Sequence, residues 1–394
     1  MSEDPYLLLS AFLDRLPYFH NLQCLRLQEL NLKWSHIDSL PRLKRLEVHG
    51  GNFLADIQHC PKHLIHRLAV DDFWVADIGS QPNLFGRWMR LLNPSTLRSI
   101  FVGCEIADLD AVFPLVTDIT LTPLQKISMK QITEFLSVFP ALTSFHTQVL
   151  FMVFDEPPPT TPHLILPSLS TLTLTSINTP FELLRYVALP RLTHLKVPLC
   201  MLDTFVDGMP SMCMSVAATI TRLHIRLLLE MFLDDIPYDK LRTIITSFSA
   251  LEILDMELVC SFKDTNAIHL NPLLADLFIG LPNLPHLPLA LERMALHCTF
   301  SNSRDTDIYP RGEHHSAGET GSLLADARRE LSQRCPSLRD VFIDGALFGY
   351  WWRAASSGIE CEDFIDNSAD SQNGKALQEL RERSWAANGR VYYE

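Results

Sequence analysis

Glycine is scarce in this sequence, which has 15 glycines among 394 residues. Collagen-like and low-complexity chains need far more glycine, and a chain with 47% apolar and 20% charged residues lacks the composition of a disordered protein. A backbone cradle for phosphate also depends on glycine, and the sequence has no phosphate-binding loop, zinc-protease motif or nucleophile elbow. We therefore expect a folded chain that is not an enzyme and holds no cofactor and no metal.

Targeting signals are missing as well. The apolar stretches are all shorter than a membrane span, the first residues lack the basic start of a signal peptide, and no N-glycosylation sequon occurs. The nine cysteines include no C-x-x-C pair, and several lie in apolar runs, as reduced core thiols do. The sequence thus predicts a cytoplasmic or nuclear protein with no membrane partner.

Basic residues are outnumbered, with 33 Lys and Arg against 46 Asp and Glu, and the formal net charge is -13. A negative protein is repelled by a phosphate backbone unless a local basic patch attracts it, and no long run of Lys and Arg is present. We therefore expect no nucleic-acid partner.

A repeated pattern dominates what the sequence does contain. Three apolar residues recur in the order apolar-x-x-apolar-x-apolar, at intervals of 19 to 47 residues, which overlap the spacing of leucine-rich repeats. The units are marked by their central apolar residue, which is Leu25, Leu46, Leu68, Ile100, Ile119, Phe145, Leu172, Leu195, Leu223, Leu254, Met294 or Val341. Because alternate residues of a strand face opposite sides, each unit predicts a short strand with one buried side.

Helix signals follow several of these strands. A capping box at Thr179 to Glu182, Asn271 before Pro272, and Asp239 each indicate a helix start. Proline lies two positions before the first apolar residue of six units, where a strand has not yet begun. These prolines are Pro41, Pro114, Pro140, Pro167, Pro190 and Pro336.

Strands that alternate with helices predict an α/β fold. We expect a leucine-rich-repeat solenoid of about twelve irregular repeats, curved like a horseshoe, with parallel strands on the concave face and helices on the convex face. The solenoid is predicted for residues 1–345, with loop insertions near 153–163 and 300–321, and a C-terminal cap with an acidic, helical tail for residues 346–394. The alternative is an ordinary two-domain α/β protein.

The full leucine-rich-repeat consensus has Asn or Cys three positions after the third apolar residue, where its side chain binds backbone amides of the following turn. Only Cys200 falls at that position, and Cys104, Cys260 and Cys298 each fall one residue away from it. We expect irregular turns and thiols that belong to the core, so His194 and Lys196 beside Cys200 do not make a nucleophilic site.

The segments LPSLSTLTLTSI, LPRLTHLKVPLCML and RCPSLRDVFIDG, together with Trp351 and Trp352, resemble the leucine-rich-repeat region of fungal F-box-like proteins. In that family the F-box docks on a cullin ubiquitin-ligase adaptor, and the repeats hold the substrate. The resemblance implies a substrate receptor linked to ubiquitin ligation, with cullin-ligase components as partners if an F-box is supplied. The first repeat begins at Leu22, and no F-box-like segment is recognised before it, so no adaptor-binding residues are assigned.

The residues beside the second and third apolar positions are predicted to face away from the core and to form a protein-binding surface. The candidate partner-binding residues are Arg45, Arg67, His194, Lys196, Arg222, His224, Arg226, Asp255, Glu257 and Arg293. Further exposed positions are predicted at Glu47, Thr173, Asp340, Phe342 and Asp344. The basic cluster from His194 to Arg226 favours an acidic partner. A stand-alone binding module or an enzyme inhibitor is the alternative to the ligase receptor.

The aromatic cluster near the C-terminus has two interpretations. Phe348, Tyr350, Trp351 and Trp352 lie within five residues of sequence, before an acidic stretch and a helical pattern. The cluster either caps the end of the repeat core or forms an exposed docking patch, and we favour the cap.

Overall fold

The computed structural model describes residues 11–28, 33–50, 64–71, 84–106, 108–122, 127–148, 152–153, 162–175, 183–231, 238–262, 273–300, 317–345, 348–354, 361–366 and 373–388. The chain divides into two units: Met1–Ser176 with Glu182–Arg191, and Ile177–Phe181 with Leu192–Glu394. Each unit contains a mainly parallel sheet with helices between its strands. The predicted domain boundary after residue 345 stays a prediction.

Among the described residues of the first unit, seven parallel strands follow one another in the sheet in chain order. They are β1 (Cys24–Gln28), β2 (Arg45–His49), β3 (Arg67–Asp71), β4 (Ser99–Gly103), β5 (Asp118–Leu121), β7 (Ser144–Thr147) and β10 (Thr171–Leu174). Two small parallel pairs join β6 (Ile127–Ser128) to β8 (Met152–Val153) and β9 (Leu164–Ile165) to β11 (Val187–Ala188). The helices are a 3-10 turn at Leu16–Tyr18, α1 (Trp34–Asp38), α2 (Leu84–Leu91), α3 (Met129–Ser137) and α4 (Leu183–Tyr186).

In the second unit, the part of the chain that the structure describes forms five parallel strands and then two antiparallel strands in the same sheet. The parallel strands are β12 (His194–Met201), β13 (Arg222–Met231), β14 (Ile253–Phe262), β15 (Arg293–Phe300) and β16 (Asp340–Asp344), and the antiparallel ones are β17 (Phe348–Arg353) and β18 (Cys361–Asp366). The helices are α5 (Leu202–Ser215), α6 (Tyr238–Thr246), α7 (Leu273–Gly280), α8 (Ala317–Arg334) and α9 (Asn373–Asn388), with a 3-10 turn at Leu281–Asn283. In the described parts of the chain, no helix has the length and apolar character that a membrane span needs.

All twelve predicted strands are present, and the repeat register is confirmed within each unit. The central apolar residues pair with one another across neighbouring strands, as Leu25 does with Leu46 and Leu223 does with Leu254. These residues and the third apolar position of every unit are buried, which makes them the core of each sheet. Of the first positions, Leu22 alone is only half-buried, at the start of the repeat series.

A recurring turn explains the prolines. In five of the six proline-bearing units, the first apolar residue donates its N–H to the carbonyl three residues earlier, as Leu142 does to Phe139 at 3.2 Å. Pro140 therefore occupies the second position of a β-turn, where its fixed φ suits the turn and its missing N–H costs nothing. Strand pairing begins after the turn, so the proline does not interrupt it.

Some boundaries differ from expectation. The prediction that Asp239 caps a helix is wrong, because α6 begins at Tyr238 and Asp239 lies within its first turn, where a carboxylate favours the helix dipole. Residues 317–321 belong to α8 and not to a loop insertion. The starts proposed at Thr179 and Asn271, and residues 154–161 and 301–316 of the proposed insertions, lie outside the described residues.

The aromatic cluster is buried, so the exposed docking patch is wrong. Phe348, Tyr350, Trp351 and Trp352 are between 1% and 7% exposed. The Tyr350 hydroxyl donates to Glu362 at 2.6 Å, and its ring packs 6.4 Å from the ring of Phe278 on α7. These contacts support the capping interpretation, because β17 adds an antiparallel strand whose two faces are both covered.

Candidate functional site

The strands of the second unit present an outward face, which we define as the side opposite to the buried apolar positions. Its first row contains His194, Arg222, Ile253, Arg293 and Asp340, which are paired in register across β12 to β16. Its second row contains Lys196, His224, Asp255, Ala295 and Phe342, and its third row contains Arg226, Glu257, His297 and Asp344. Parallel pairing thus brings charged residues that are far apart in sequence into the same rows, together with Ile253, Ala295 and Phe342.

The exposed positive charge of this face lies at β12 and β13. Lys196 and Arg222 are exposed, and neither forms an ion pair with another residue that the structure describes. His194 lies next to them and is half-buried. Burial lowers the pKa of His194 from its ordinary 6.5, and the positive charges of Arg222 and Lys196 lower it further. His194 is therefore neutral at neutral pH.

The two acidic residues of β14 are held by their neighbours. Nδ1 of His224 lies 2.9 Å from Oδ2 of Asp255, and the Asp255 side chain is 15% exposed. Nε of Arg226 lies 3.2 Å from Oε1 of Glu257, which also accepts a 3.0 Å hydrogen bond from the Thr299 hydroxyl. Arg226 thus partly neutralises the charge of Glu257, and Asp255 is held by the His224 ring.

Arg293 is less accessible than expected. Its guanidinium is half-buried, and this burial lowers its pKa, whereas the nearby Asp340 carboxylate acts in the opposite direction. Asp340 accepts a 3.2 Å hydrogen bond from Nε1 of Trp351, and burial raises its pKa. Arg293 thus belongs to a buried polar cluster at the edge of the outward face.

The predicted exposure of Asp340, Phe342 and Asp344 is wrong. All three are buried, with Phe342 at 1% and Asp344 at 8% exposed. Phe342 and Asp344 are covered by α9, whereas Asp340 lies against Trp351 and Arg353 of β17. A pattern of alternation locates a side chain on a face but does not reveal a distant segment that covers it.

The contact of α9 with the sheet has an apolar centre. Leu380 is fully buried and packs with Ala295, Phe342 and Trp351. Gly349 lets the helix approach, because a Cβ at this position would lie 2.6 Å from Cδ1 of Leu377 and 2.8 Å from Cδ2 of Leu380. We call the apolar centre with the carboxylates around it the helix-docking face.

Carboxylates surround this apolar centre and bind the arginines of α9. Arg381 forms two hydrogen bonds with Asp344, of 2.9 Å from Nε and 2.7 Å from the terminal nitrogen. Arg383 lies 3.0 Å from Asp363, and its guanidinium lies 5.6 Å from the centre of the Trp351 ring. Burying a leucine contributes roughly 1.5–3 kcal/mol, so the buried Leu377 and Leu380 stabilise the contact of α9 with the sheet.

The first unit holds the two remaining candidates. Arg45 and Arg67 are paired in register on β2 and β3. Nε of Arg45 donates to Glu47 at 2.7 Å, and Arg26 lies 3.8 Å from the same carboxylate. Glu47 is buried, as is Thr173, so the predicted exposure of these two residues is wrong. Arg67 is exposed.

The cysteines of the repeat belong to the core, as expected. Cys104, Cys200, Cys260 and Cys298 are buried. Burial raises the pKa of Cys200 to about 12, so its thiol is not ionised at neutral pH and is a poor nucleophile. Among the residues that the structure describes, no group of three or more His, Cys, Asp or Glu is arranged to hold a metal ion.

No protein-family model matches the chain. No curated protein matches it either. A solved structure described as the crystal structure of a TLR13-ssRNA13 complex is similar over 70% of this chain and 42% of that chain, at 14% identity and a TM-score of 0.34. The chain thus matches less than half the length of that protein, and a TM-score this low supports no argument about fold or function.

Two residues of these surfaces were not found from the sequence. His297 is buried in the third row, and Arg381 binds Asp344. A signal for Arg381 was present, because Leu377 and Leu380 are three positions apart and form an apolar helical stripe that needs a surface to cover it.

Proposed function

We propose that this chain is a leucine-rich-repeat solenoid that binds an acidic segment of a protein partner and performs no catalytic step. The binding surface is the outward face at β12 and β13, which is the concave side of the proposed solenoid. The single observation that carries the proposal is the exposure of Lys196 and Arg222, without ion pairs to other described residues, on a chain with a net charge of -13.

The physical basis is complementarity of charge. Two exposed cations on neighbouring strands form a local attraction for carboxylates that the rest of an acidic surface lacks. Arg226 adds a third exposed cation, which Glu257 partly neutralises. An extended acidic segment that runs across the strands meets these side chains in succession.

The experiment compares partners captured from a cell extract by three tagged proteins, quantified by mass spectrometry. These are the wild type, the double variant Lys196→Glu/Arg222→Glu, and the control Lys130→Glu/Arg329→Glu. The control makes the same change of net charge at two exposed positions on α3 and α8. We expect a partner that the wild type and the control capture and the double variant loses. Equal capture by all three proteins contradicts the proposal.

The role as a substrate receptor in ubiquitin ligation is a more specific form of this proposal and is supported by the family resemblance alone. It requires a cullin-ligase component in the captured complexes. Complexes that contain an acidic partner but no such component favour a stand-alone binding module or an enzyme inhibitor. Both roles use the same surface, so the presence or absence of a cullin-ligase component in the captured complexes separates them.

A further inference from the structure

The first unit carries a group of basic side chains where three of its strands begin. Lys44, His66 and Arg98 lie directly before β2, β3 and β4, and Arg45 and Arg67 are the first residues of β2 and β3. Arg45 is half-buried, and the other four residues are exposed. We call these five residues the basic cluster.

Parallel pairing of the strands holds the basic cluster together. The backbone N–H of His66 donates to the carbonyl of Lys44 at 2.9 Å, and that of Arg98 donates to the carbonyl of His66 at 2.8 Å. Arg45 and Arg67 are paired in register in the next row. Neighbouring strands lie about 4.8 Å apart, so the cluster spans roughly 10 Å across the sheet, with Arg67 at its centre.

The positive charge of the basic cluster is offset only at Arg45, whose Nε donates to Glu47 at 2.7 Å. Lys44, Arg67 and Arg98 form no ion pair with another residue that the structure describes. Arg45 lies opposite Arg67, and like charges at opposite positions of neighbouring strands repel each other. An anion bound between these side chains removes that repulsion.

The surroundings of the basic cluster favour a compact anion. The row that contains Arg45 and Arg67 continues with Ser99 on β4 and with Asp118 on β5, and Asp118 is exposed. A long polyanion that extends past β4 therefore meets a carboxylate. A phosphate ester concentrates a charge of about -2 at one point, and its oxygens accept paired hydrogen bonds from a guanidinium.

We propose that the basic cluster is a binding site for a phosphorylated segment of a protein partner. The phosphate binds at Arg67, with Arg98 on one side of it and Lys44 and Arg45 on the other. Recognition of a phosphorylated segment by clustered arginines needs no backbone cradle, which agrees with the scarcity of glycine in this chain. The site lies in the first unit and does not depend on the proposed acidic partner at β12 and β13.

The probe is a degenerate library of short synthetic peptides with a phosphoserine at the centre, immobilised on beads. Two matched libraries carry serine or glutamate at the same position. Retention of the full-length protein is measured as its concentration rises, which gives an apparent Kd for each library. We expect the phosphoserine library to bind about tenfold more tightly than the glutamate library, and the serine library to retain no protein.

Protein variants locate the binding. We expect Arg67→Glu/Arg98→Glu to lose the phosphoserine library, and Arg67→Lys/Arg98→Lys, which keeps the charge without the guanidinium fork, to bind it about tenfold more weakly. Both side chains are exposed, so thermal denaturation should give these variants the Tm of the wild type.

Two controls bind the phosphoserine library as the wild type does. Lys130→Glu/Arg329→Glu makes the same change of net charge as the charge reversal in the cluster. Lys196→Glu/Arg222→Glu changes the proposed acidic-segment site in the second unit, so a failure of either proposal leaves the other intact.

Several results overturn the proposal. Equal binding of the serine and phosphoserine libraries shows that phosphate is not recognised, and equal binding of the glutamate and phosphoserine libraries shows that carboxylates suffice. Binding that survives in Arg67→Glu/Arg98→Glu but is lost in Lys196→Glu/Arg222→Glu places the phosphate at β12 and β13. A single-stranded RNA that displaces the phosphoserine peptides at equal phosphate concentration shows that the cluster takes nucleic acid.

Discussion

His297 shows how the outward face constrains a single residue. Its ring lies between β14 and β16, with Nε2 3.7 Å from Oδ1 of Asp255 and its centroid 5.3 Å from that of Phe342. Burial lowers the pKa of His297 from its ordinary 6.5; the carboxylates of Asp344 and Glu257 act against this shift, whereas His224 and Arg381 add to it. The folded protein therefore favours the neutral ring.

The pH dependence of stability follows from this shift. As the pH falls, the unfolded chain protonates His297 at about its ordinary pKa while the folded protein does not. The contribution of His297 is thus complete above pH 6.5 and is lost as the pH falls from 6.5 through the folded pKa. We expect thermal denaturation to show a smaller loss of Tm between about pH 7.5 and 5.5 in His297→Gln than in the wild type. An equal loss in both proteins contradicts this account.

Substitution of the central apolar residue of a repeat tests the repeat register. Leu172 is fully buried on β10 between the neighbouring apolar positions. Leu172→Asp places an unpaired carboxylate in the core, which costs roughly 3–5 kcal/mol in the free energy of unfolding. The control Thr171→Asp changes a half-buried outward position and should cost less than about 1 kcal/mol. Similar urea midpoints for the two variants show that the repeat register is wrong.

At the scale of elements, the same turn recurs before many of the described strands. Its second position is proline in five units, and the turn forms without proline where Leu251 donates its N–H to the carbonyl of Phe248 at 3.1 Å. Ser249 occupies the proline position in this turn and is exposed. The turn geometry, and not the strand itself, is what selects proline.

This comparison predicts a stabilising substitution. Ser249→Pro fixes a backbone conformation that the turn already has, and it reduces the freedom of the unfolded chain, which contributes about 0.4–1 kcal/mol to stability. The control Ala250→Pro places proline at the third position of the turn, where it forces the preceding residue out of its conformation and is destabilising. Urea denaturation should show a higher midpoint for Ser249→Pro and a lower one for Ala250→Pro. A lower midpoint for both variants means that the turn is not of this type.

At the scale of the whole molecule, the distribution of charge favours an acidic protein segment as a partner over nucleic acid. The chain has a net charge of -13, while its outward strand face in the second unit has exposed cations at Lys196 and Arg222. A local pair of cations attracts a short acidic segment, but a nucleic-acid backbone also meets the negative charge of the rest of the surface.

We therefore expect no binding to nucleic acid at physiological salt. Gel-shift measurements with duplex DNA and single-stranded RNA should show no retardation at about 10 µM protein, a concentration at which non-specific binders are retarded. The double variant Lys196→Glu/Arg222→Glu is the control, because any weak retardation that comes from this patch should be lost in it. Retardation that survives in the double variant contradicts the charge argument.

The sequence predicted more of the fold than of the candidate site. The twelve strands and their buried apolar positions were predicted, because alternation along a strand and the spacing of units are local properties. The thiol of Cys200 was also placed correctly in the core. The cap of α6 was misplaced, since element boundaries depend on contacts that a local pattern does not contain.

The site was predicted only as positions on a face. Lys196, Arg222 and Arg67 are exposed as expected, whereas Asp255 and Glu257 are partly covered by His224 and Arg226 from a neighbouring strand. These partners are about thirty residues apart in sequence, and only parallel pairing in register brings them together.

The sequence by itself determined where the strands lie, which side of each is buried and where the chain turns before each strand. These features depend on residue size, polarity and φ preference within a few neighbouring positions. The tertiary structure alone decided which outward residues stay accessible. Arg226 pairs with Glu257, and α9 covers Phe342 and Asp344. These contacts join segments that are distant in sequence, and a repeat pattern does not predict them.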